Sequence, residues 1–260
     1  MSSIVTDRGL VHYEAVGRGR PIILLHGWLE SWEHWLGTME SLSRRYKTYA
    51  LDFWGFGESG KQSGSFSVQD YVEMVDQFME RLGIERAPIV GHSMGGTVSL
   101  KVALDHHERV EKIAVVGSPI MGDGLALFLR LAAQRSLAKL AYRVPGAIPL
   151  GVRIFSPLLA RDWKAWYQMF EQDLSQTTME SFHYSIASLR KTDLRPRLRE
   201  LRIPVMGVYG VLDRIVDPAQ GDVLRQSLPA AEVHMFEHSG HFPMADEPER
   251  FYQVLLNFLS

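Results

Sequence analysis

The chain has 260 residues, of which 46% are hydrophobic and 22% charged, so one large α/β domain carrying an insertion accounts for it better than a solenoid or a multidomain assembly. Its 28 basic residues are balanced by 30 acidic ones, for a net charge of -2 without a long basic run, which argues against nucleic acid as a partner. Cysteine is absent, which removes disulfides, thiolate catalysis and cysteine-based zinc sites together.

The first nine residues are polar and contain nothing like an apolar secretory segment, so the expected location is cytoplasmic. Residues 21–25, Pro-Ile-Ile-Leu-Leu, read as a strand buried on both faces and lead into His26-Gly27-Trp28. Tyr49-Ala50-Leu51 reads likewise and leads into Asp52-Phe53-Trp54-Gly55-Phe56-Gly57-Glu58-Ser59. The glycines of that run suit a tight connection, and Asp52 is read as structural; without a Gly-Lys-Ser/Thr ending it is no phosphate loop. A helix opens at Ser67, where Asp70 completes a capping box, and Val68, Tyr71, Val72, Val75, Phe78, Met79 and Leu82 form its buried stripe before Gly83. The strand Pro88-Ile89-Val90 passes through Gly91-His92-Ser93-Met94-Gly95-Gly96 into a helical run at 97–106, and Ile113-Ala114-Val115-Val116 gives the next strand.

From 122 to 189 the strands stop, and helical patterns rich in Leu, Met, Phe, Trp and Tyr follow one another. The expected organisation is therefore an α/β core at 1–121 and 190–260, with a helical cap at 122–189 inserted before the last strands. Phe128, Leu129, Leu140, Trp163, Trp166, Tyr167, Met169 and Phe170 are candidate pocket walls, against the alternative that such stripes at helical spacing fill a core. Arg130, Arg135, Lys139 and Arg143 interrupt the apolar pattern, so it is no membrane span, and they read as a solvated face more than as an attractor of acidic substrate. Residues 204–209 and 233–236 complete the strands. Asp217-Pro218 reads as a helix start with Asp217 as cap, and Phe251, Val254, Leu255 and Phe258 give the last helix its buried face.

A serine between glycines, directly after a strand and directly before a helix, is the arrangement that lifts a hydroxyl above a sheet on a strained turn, with the helix N-terminus near developing negative charge. Ser93 is the candidate nucleophile; the competing interpretation is a glycine-rich turn with an incidental serine. Such a hydroxyl needs a base, and a base needs a carboxylate to hold its tautomer.

Taken in order, the His-Gly-Trp loop, the Asp52 to Ser59 run, the serine elbow, Gly210-Val211-Leu212-Asp213 and Gly240-His241-Phe242 make the chain resemble the serine hydrolases of the α/β-hydrolase fold along nearly its whole length. The resemblance implies a mostly parallel central sheet flanked by helices, with the chain order Ser93, Asp213, His241 for nucleophile, acid and base. His238 is the nearest competitor of His241, and Asp217 of Asp213. His26 and His92 read as backbone-orienting residues. The oxyanion donors expected are the amides of Trp28 and Met94, and the Trp28 ring stands either at the cleft wall or in the core. A metal site from His234, His238 and His241 is weak, and no cofactor is expected.

Serine at the elbow favours acyl-enzyme chemistry on a small-molecule carboxylic ester with a small or medium apolar acyl group. Carbon-carbon hydrolases of the meta-cleavage type are the alternative that the Phe242-Pro243 and Glu247-Pro248 pattern loosely resembles, but His92 and Phe242 stand where they have Asn and Trp. Cofactor-free haloperoxidases or perhydrolases share the triad, and a hydrolase-fold receptor with slow turnover is the non-enzymatic alternative.

Overall fold

The structure is a computed structural model that describes residues 2–61, 66–134, 136, 143, 146–158, 160 and 162–260. Its centre is an eight-stranded sheet in the order β1-β2-β4-β3-β5-β6-β7-β8. The strands are β1 (Ser2–Thr6), β2 (Gly9–Gly17), β3 (Arg20–Leu25), β4 (Tyr46–Leu51), β5 (Ala87–His92), β6 (Val110–Val116), β7 (Val205–Gly210) and β8 (Glu232–Phe236). From β4 through β8 neighbouring strands run parallel, while β1 and β2 form an antiparallel hairpin that joins the sheet through β4.

Alternation along the strands builds two apolar layers. Ile22, Leu24, Ala114, Val116, Met206 and Val208 face α1 (Leu36–Leu42) and the C-terminal helix (Pro248–Leu259). Ile23, Leu25, Ile113, Val115, Val205 and Tyr209 join the opposite layer, which holds α2 (Val68–Arg81) and α3 (Met94–Asp105). With both faces covered, these strands have no solvent side, which is why they read as unbroken apolar runs.

Between β6 and β7 the described chain is helical: α4 (Leu127–Ala132), α5 (Ala147–Phe155), α6 (Trp163–Ser175) and α7 (Met179–Lys191). Among the contacts that dock this segment on the core, three run to the loop after β3, the loop after β4 and the start of α2. The Trp28 indole N–H donates to the Phe182 carbonyl (3.0 Å), the Ser181 hydroxyl to the Gly55 carbonyl (2.8 Å), and the Val68 amide to the Ser188 hydroxyl (3.0 Å). Leu140, Arg135 and Lys139 lie outside the described residues.

Two features depart from the sequence reading. The β1–β2 hairpin was not legible, because burial along it does not follow hydrophobicity: polar Thr6 and His12 are buried beside Val11, while Val5 and Leu10 are exposed. Asp217 precedes its helix by more than one position: α8 spans Gln220–Ser227, and Asp217 forms a turn before it by accepting the Ala219 amide at 2.9 Å. The capping box at Ser67 and Asp70 is formed as read, with the Ser67 amide donating to Asp70 at 2.8 Å. Two more helices, α9 (Pro243–Asp246) and α10 (Pro248–Leu259), close the chain. Among the described residues, no helix is long and apolar enough to cross a membrane.

Candidate active site

Parallel strands deliver their C-terminal ends to one edge of the sheet, and every motif singled out above leaves a strand at that edge. His26-Gly27-Trp28 follows β3, Asp52 follows β4, Ser93 follows β5, Asp213 follows β7 and His241 follows β8.

Ser93 sits at φ 50° and ψ -117°, in the left-handed half of backbone space where a residue with a side chain is strained. The turn is held by the Ser93 amide, which donates to the Val116 carbonyl at 2.8 Å. Glycine is required on the next turn, because a Cβ on Gly95 would stand 2.3 Å from the Leu25 carbonyl oxygen and 2.5 Å from that of His26. The elbow is thus pressed directly onto the backbone of the His-Gly-Trp loop. Ser99 and Ser118, the neighbouring serines, both spend their hydroxyls on carbonyls, of Gly95 (2.7 Å) and Val116 (3.1 Å).

His241 is buried, and its Nδ1 lies 2.7 Å from Asp213 Oδ2. The other Asp213 oxygen accepts the amides of Ile215 (2.7 Å) and Val216 (3.0 Å), so the carboxylate is fixed while its second oxygen orients the ring. Burial by itself would lower the pKa of His241, but the charge and hydrogen bond of Asp213, with a contribution from Glu30, outweigh it, and the pKa lies above the ordinary 6.5. Asp217 and His238 are exposed, away from this pair.

Ser93 and His241 border one cavity of about 170 Å³, which the helical segment partly covers. Of the expected walls, Trp28, Phe128, Leu129, Trp166 and Phe170 line it, joined by Phe182, Ile186 and Phe242. Trp163 and Met169 do not. On α6 the cavity meets Trp166 and Phe170, one turn apart; Met169 lies on an adjacent face and borders a neighbouring cleft, and Trp163 sits a turn earlier with the Lys164 ammonium 5.8 Å over its ring. Tyr167 is buried and hydrogen-bonded to the Pro149 carbonyl and the Glu171 carboxylate. Met94 opens α3, where the first amides of a helix have no intrahelical acceptor, and Trp28 borders the cavity directly after Gly27.

Asp52 is fully buried and accepts the amides of Trp32 (2.8 Å) and Glu58 (3.0 Å) while bonding His12 (2.8 Å), which makes it the organiser of its own turn. His26 likewise ties its loop together, with Nδ1 on the Gly27 carbonyl (2.7 Å) and Nε2 accepting the Phe53 amide (2.9 Å). His234 is half-buried and paired with Glu232, so the three histidines weighed as a metal site are not brought together. Among the described residues the one cluster with metal-ligand spacing is Glu30, His92 and His241. Its donor atoms are already committed: His92 Nδ1 to Glu30 (2.9 Å), His92 Nε2 to the His241 carbonyl (2.8 Å), and His241 Nδ1 to Asp213.

Three polar groups escaped the sequence reading. Glu30 and His34 both border the cavity, and His34 Nε2 reaches Asp173 of α6 at 3.0 Å, both side chains being buried. Glu30 accepts the Gly27 amide at 2.6 Å. A carboxylate three residues beyond a loop amide is the spacing of a capping box, and that was the available signal.

A family model described as alpha/beta hydrolase fold matches residues 20–248. The chain is 27% identical over 269 residues to a pimeloyl-[acyl-carrier protein] methyl ester esterase of Vibrio vulnificus, covering 95% of this chain and 97% of that one. It is 27% identical over 277 residues to a 2-hydroxy-6-oxo-6-phenylhexa-2,4-dienoate hydrolase of Comamonas testosteroni, covering 96% and 91%. The bromoperoxidase of Bacillus anthracis superposes with a TM-score of 0.87 at 21% identity, covering 99% of each chain.

Proposed function

The chain belongs to the alpha/beta hydrolase fold family, and from that premise we propose that it is a serine hydrolase of neutral carboxylic esters with small or medium apolar acyl groups. One observation carries the reading: a largely apolar cavity meets a strained serine and a buried histidine whose far nitrogen is held by a buried carboxylate. In this reading Ser93 Oγ attacks the ester carbonyl as His241 Nε2 takes its proton, and the amides of Trp28 and Met94 hold the oxyanion. The alcohol leaves with that proton. Water then attacks the acyl-enzyme, again giving its proton to His241, and the acid departs as Ser93 is restored. The segment of α4 to α7 serves as the cap that excludes bulk water and limits acyl length.

The charge of the lining bears on the alternatives. Among the described cavity residues there is no Lys or Arg, and Arg130 and Arg143 are not among them. Glu30 is; burial would raise its carboxyl, but the facing His92 and His34 outweigh this and bring it down to about 2, so it is ionised. A substrate carboxylate, as in a ring-fission dienoate, would face that charge with no Lys or Arg to receive it. A neutral acyl chain would not.

The test is a panel of p-nitrophenyl esters alongside a ring-fission dienoate. kcat/KM is expected to rise and then fall with acyl length, since methylenes beyond a filled cavity lose the roughly 0.8 kcal/mol that each would gain by burial. The dienoate is expected to turn over far more slowly than the best ester. A dienoate preferred over every ester would give the reaction to the carbon-carbon hydrolases, and a single stoichiometric turnover with a retained fragment would give it to a receptor.

The pH profile is a second expected outcome. Because the base acts neutral and its pKa lies above 6.5, ester kcat/KM should decline on acidification through an apparent value above the ordinary histidine figure. The sign for stability is opposite. A raised folded pKa stabilises the protonated pair fully below the unfolded value and loses that contribution as pH rises through the folded one. A profile whose acid limb falls well below pH 6.5 would mean that Asp213 does not support the base at work.

A further inference from the structure

Among the described residues, two without a glycine's freedom have positive φ: Ser93 at 50° and Leu29 at 58°. Each costs on the order of 1–3 kcal/mol and persists only where surrounding contacts over-determine it. They flank the same spot, one in the elbow and one in the loop that carries the Trp28 amide. The residues immediately beside them, His92 and Glu30, are joined by a buried contact of 2.9 Å from Nδ1 to Oε2, with His92 fully buried and Glu30 5% exposed.

The contacts continue in both directions from that pair. Glu30 Oε2 accepts the Gly27 amide at 2.6 Å, closing the turn that carries Trp28, a residue bordering the cavity. His92 Nε2 lies 2.8 Å from the carbonyl oxygen of His241 itself, and the two imidazoles stand 4.6 Å apart, centre to centre. The two ring nitrogens of His92 thus bridge the Glu30 carboxylate on one side and the backbone of the base loop on the other, and the ring also packs on Phe242 with centres 4.9 Å apart.

We propose that Glu30 and His92 are positioning residues that link the oxyanion loop to the base loop, setting the Trp28 amide and the His241 ring at the two ends of one hydrogen-bonded chain. This rests on the serine-hydrolase reading above. It adds that the oxyanion donor and the base are held in mutual register by a single buried hydrogen-bonded pair that touches neither the scissile bond nor the proton in flight. Breaking one link loosens both ends, and a displacement of about 1 Å at a reacting group is enough to cost on the order of a hundredfold in rate.

Glu30→Ala removes both contacts of the carboxylate, whereas Glu30→Gln retains the size of the side chain and an oxygen that can accept both, but not the charge. On the best ester, Glu30→Ala is expected to lower kcat about a hundredfold with KM changed less than about threefold, and Glu30→Gln to lose about tenfold. Affinity for a boronic acid that mimics the tetrahedral intermediate should fall in step with kcat/KM across the series. Rates are referred to the folded fraction measured by circular dichroism, so a folding defect alone leaves corrected kcat unchanged and overturns the proposal. So do a loss confined to KM or a Glu30→Gln variant as slow as Glu30→Ala. Failure of the underlying reading looks different: a fluorophosphonate would then not label Ser93 in the wild-type protein at all.

Discussion

Ser93→Ala is expected to lower kcat for a short-chain ester by at least about three orders of magnitude while the protein remains folded. The hydroxyl is the atom that forms the acyl bond in the proposed mechanism, and no neighbour stands ready to replace it. Ser99 and Ser118 are fully buried and donate to carbonyls within 3.1 Å, so neither hydroxyl is directed at the cavity. Because alanine has to adopt the same positive φ as the serine it replaces, the substitution neither relieves nor adds much backbone strain, and stability should change by less than about 1 kcal/mol. Steady-state kinetics and a thermal melt on the same preparation check both halves. A variant with a tenth of the wild-type rate would remove Ser93 from the chemistry.

Asp213→Asn should be nearly as damaging. The asparagine oxygen can still accept the amides of Ile215 and Val216, so the loop keeps its shape. Its NH2 group then faces His241 Nδ1 and obliges that nitrogen to accept, which places the ring proton on Nε2, where the Ser93 proton has to go. A loss of about 10⁴ in kcat follows from the wrong tautomer together with the lost stabilisation of the imidazolium. The residual activity should have its acid limb at lower pH, because the principal group raising the His241 pKa is gone. Asp217→Ala provides the contrast. That carboxylate is exposed and accepts the Ala219 amide, so its removal should cost at most about 1 kcal/mol of stability with kcat retained. Exchange of these two phenotypes would transfer the acid role to Asp217.

How much of this was legible before the structure depended on where the information resided. The central strands were readable because residues such as Ile22 to Leu25 and Ile113 to Val116 are buried on both faces and show no polar interruption. The β1–β2 hairpin lies at the sheet edge, and its half-exposed alternation with Ser, Thr, His and Glu resembles a polar loop. The elbow was readable for a different reason: its glycines are fixed by backbone approach, and the steric demand is written directly into the sequence. Pocket walls were less so. Helical spacing says which residues share a face but not which face meets the cavity, and on α6 that choice admitted Trp166 and Phe170 and left out Trp163 and Met169. Glu30 was hidden for a similar reason. A glutamate in a loop is usually solvated, and its burial here is a property of two loops meeting, the one after β3 and the elbow after β5.

The central claim, that Ser93 forms the covalent intermediate, is tested most directly by reacting the folded protein with a fluorophosphonate and locating the adduct by peptide mass spectrometry. One adduct per chain on Ser93, abolished by heat denaturation before labelling and competed by a slow ester substrate, is the predicted result. An adduct on Ser99 or Ser118, or multiple-turnover ester hydrolysis that proceeds undiminished with Ser93 unlabelled, would contradict it.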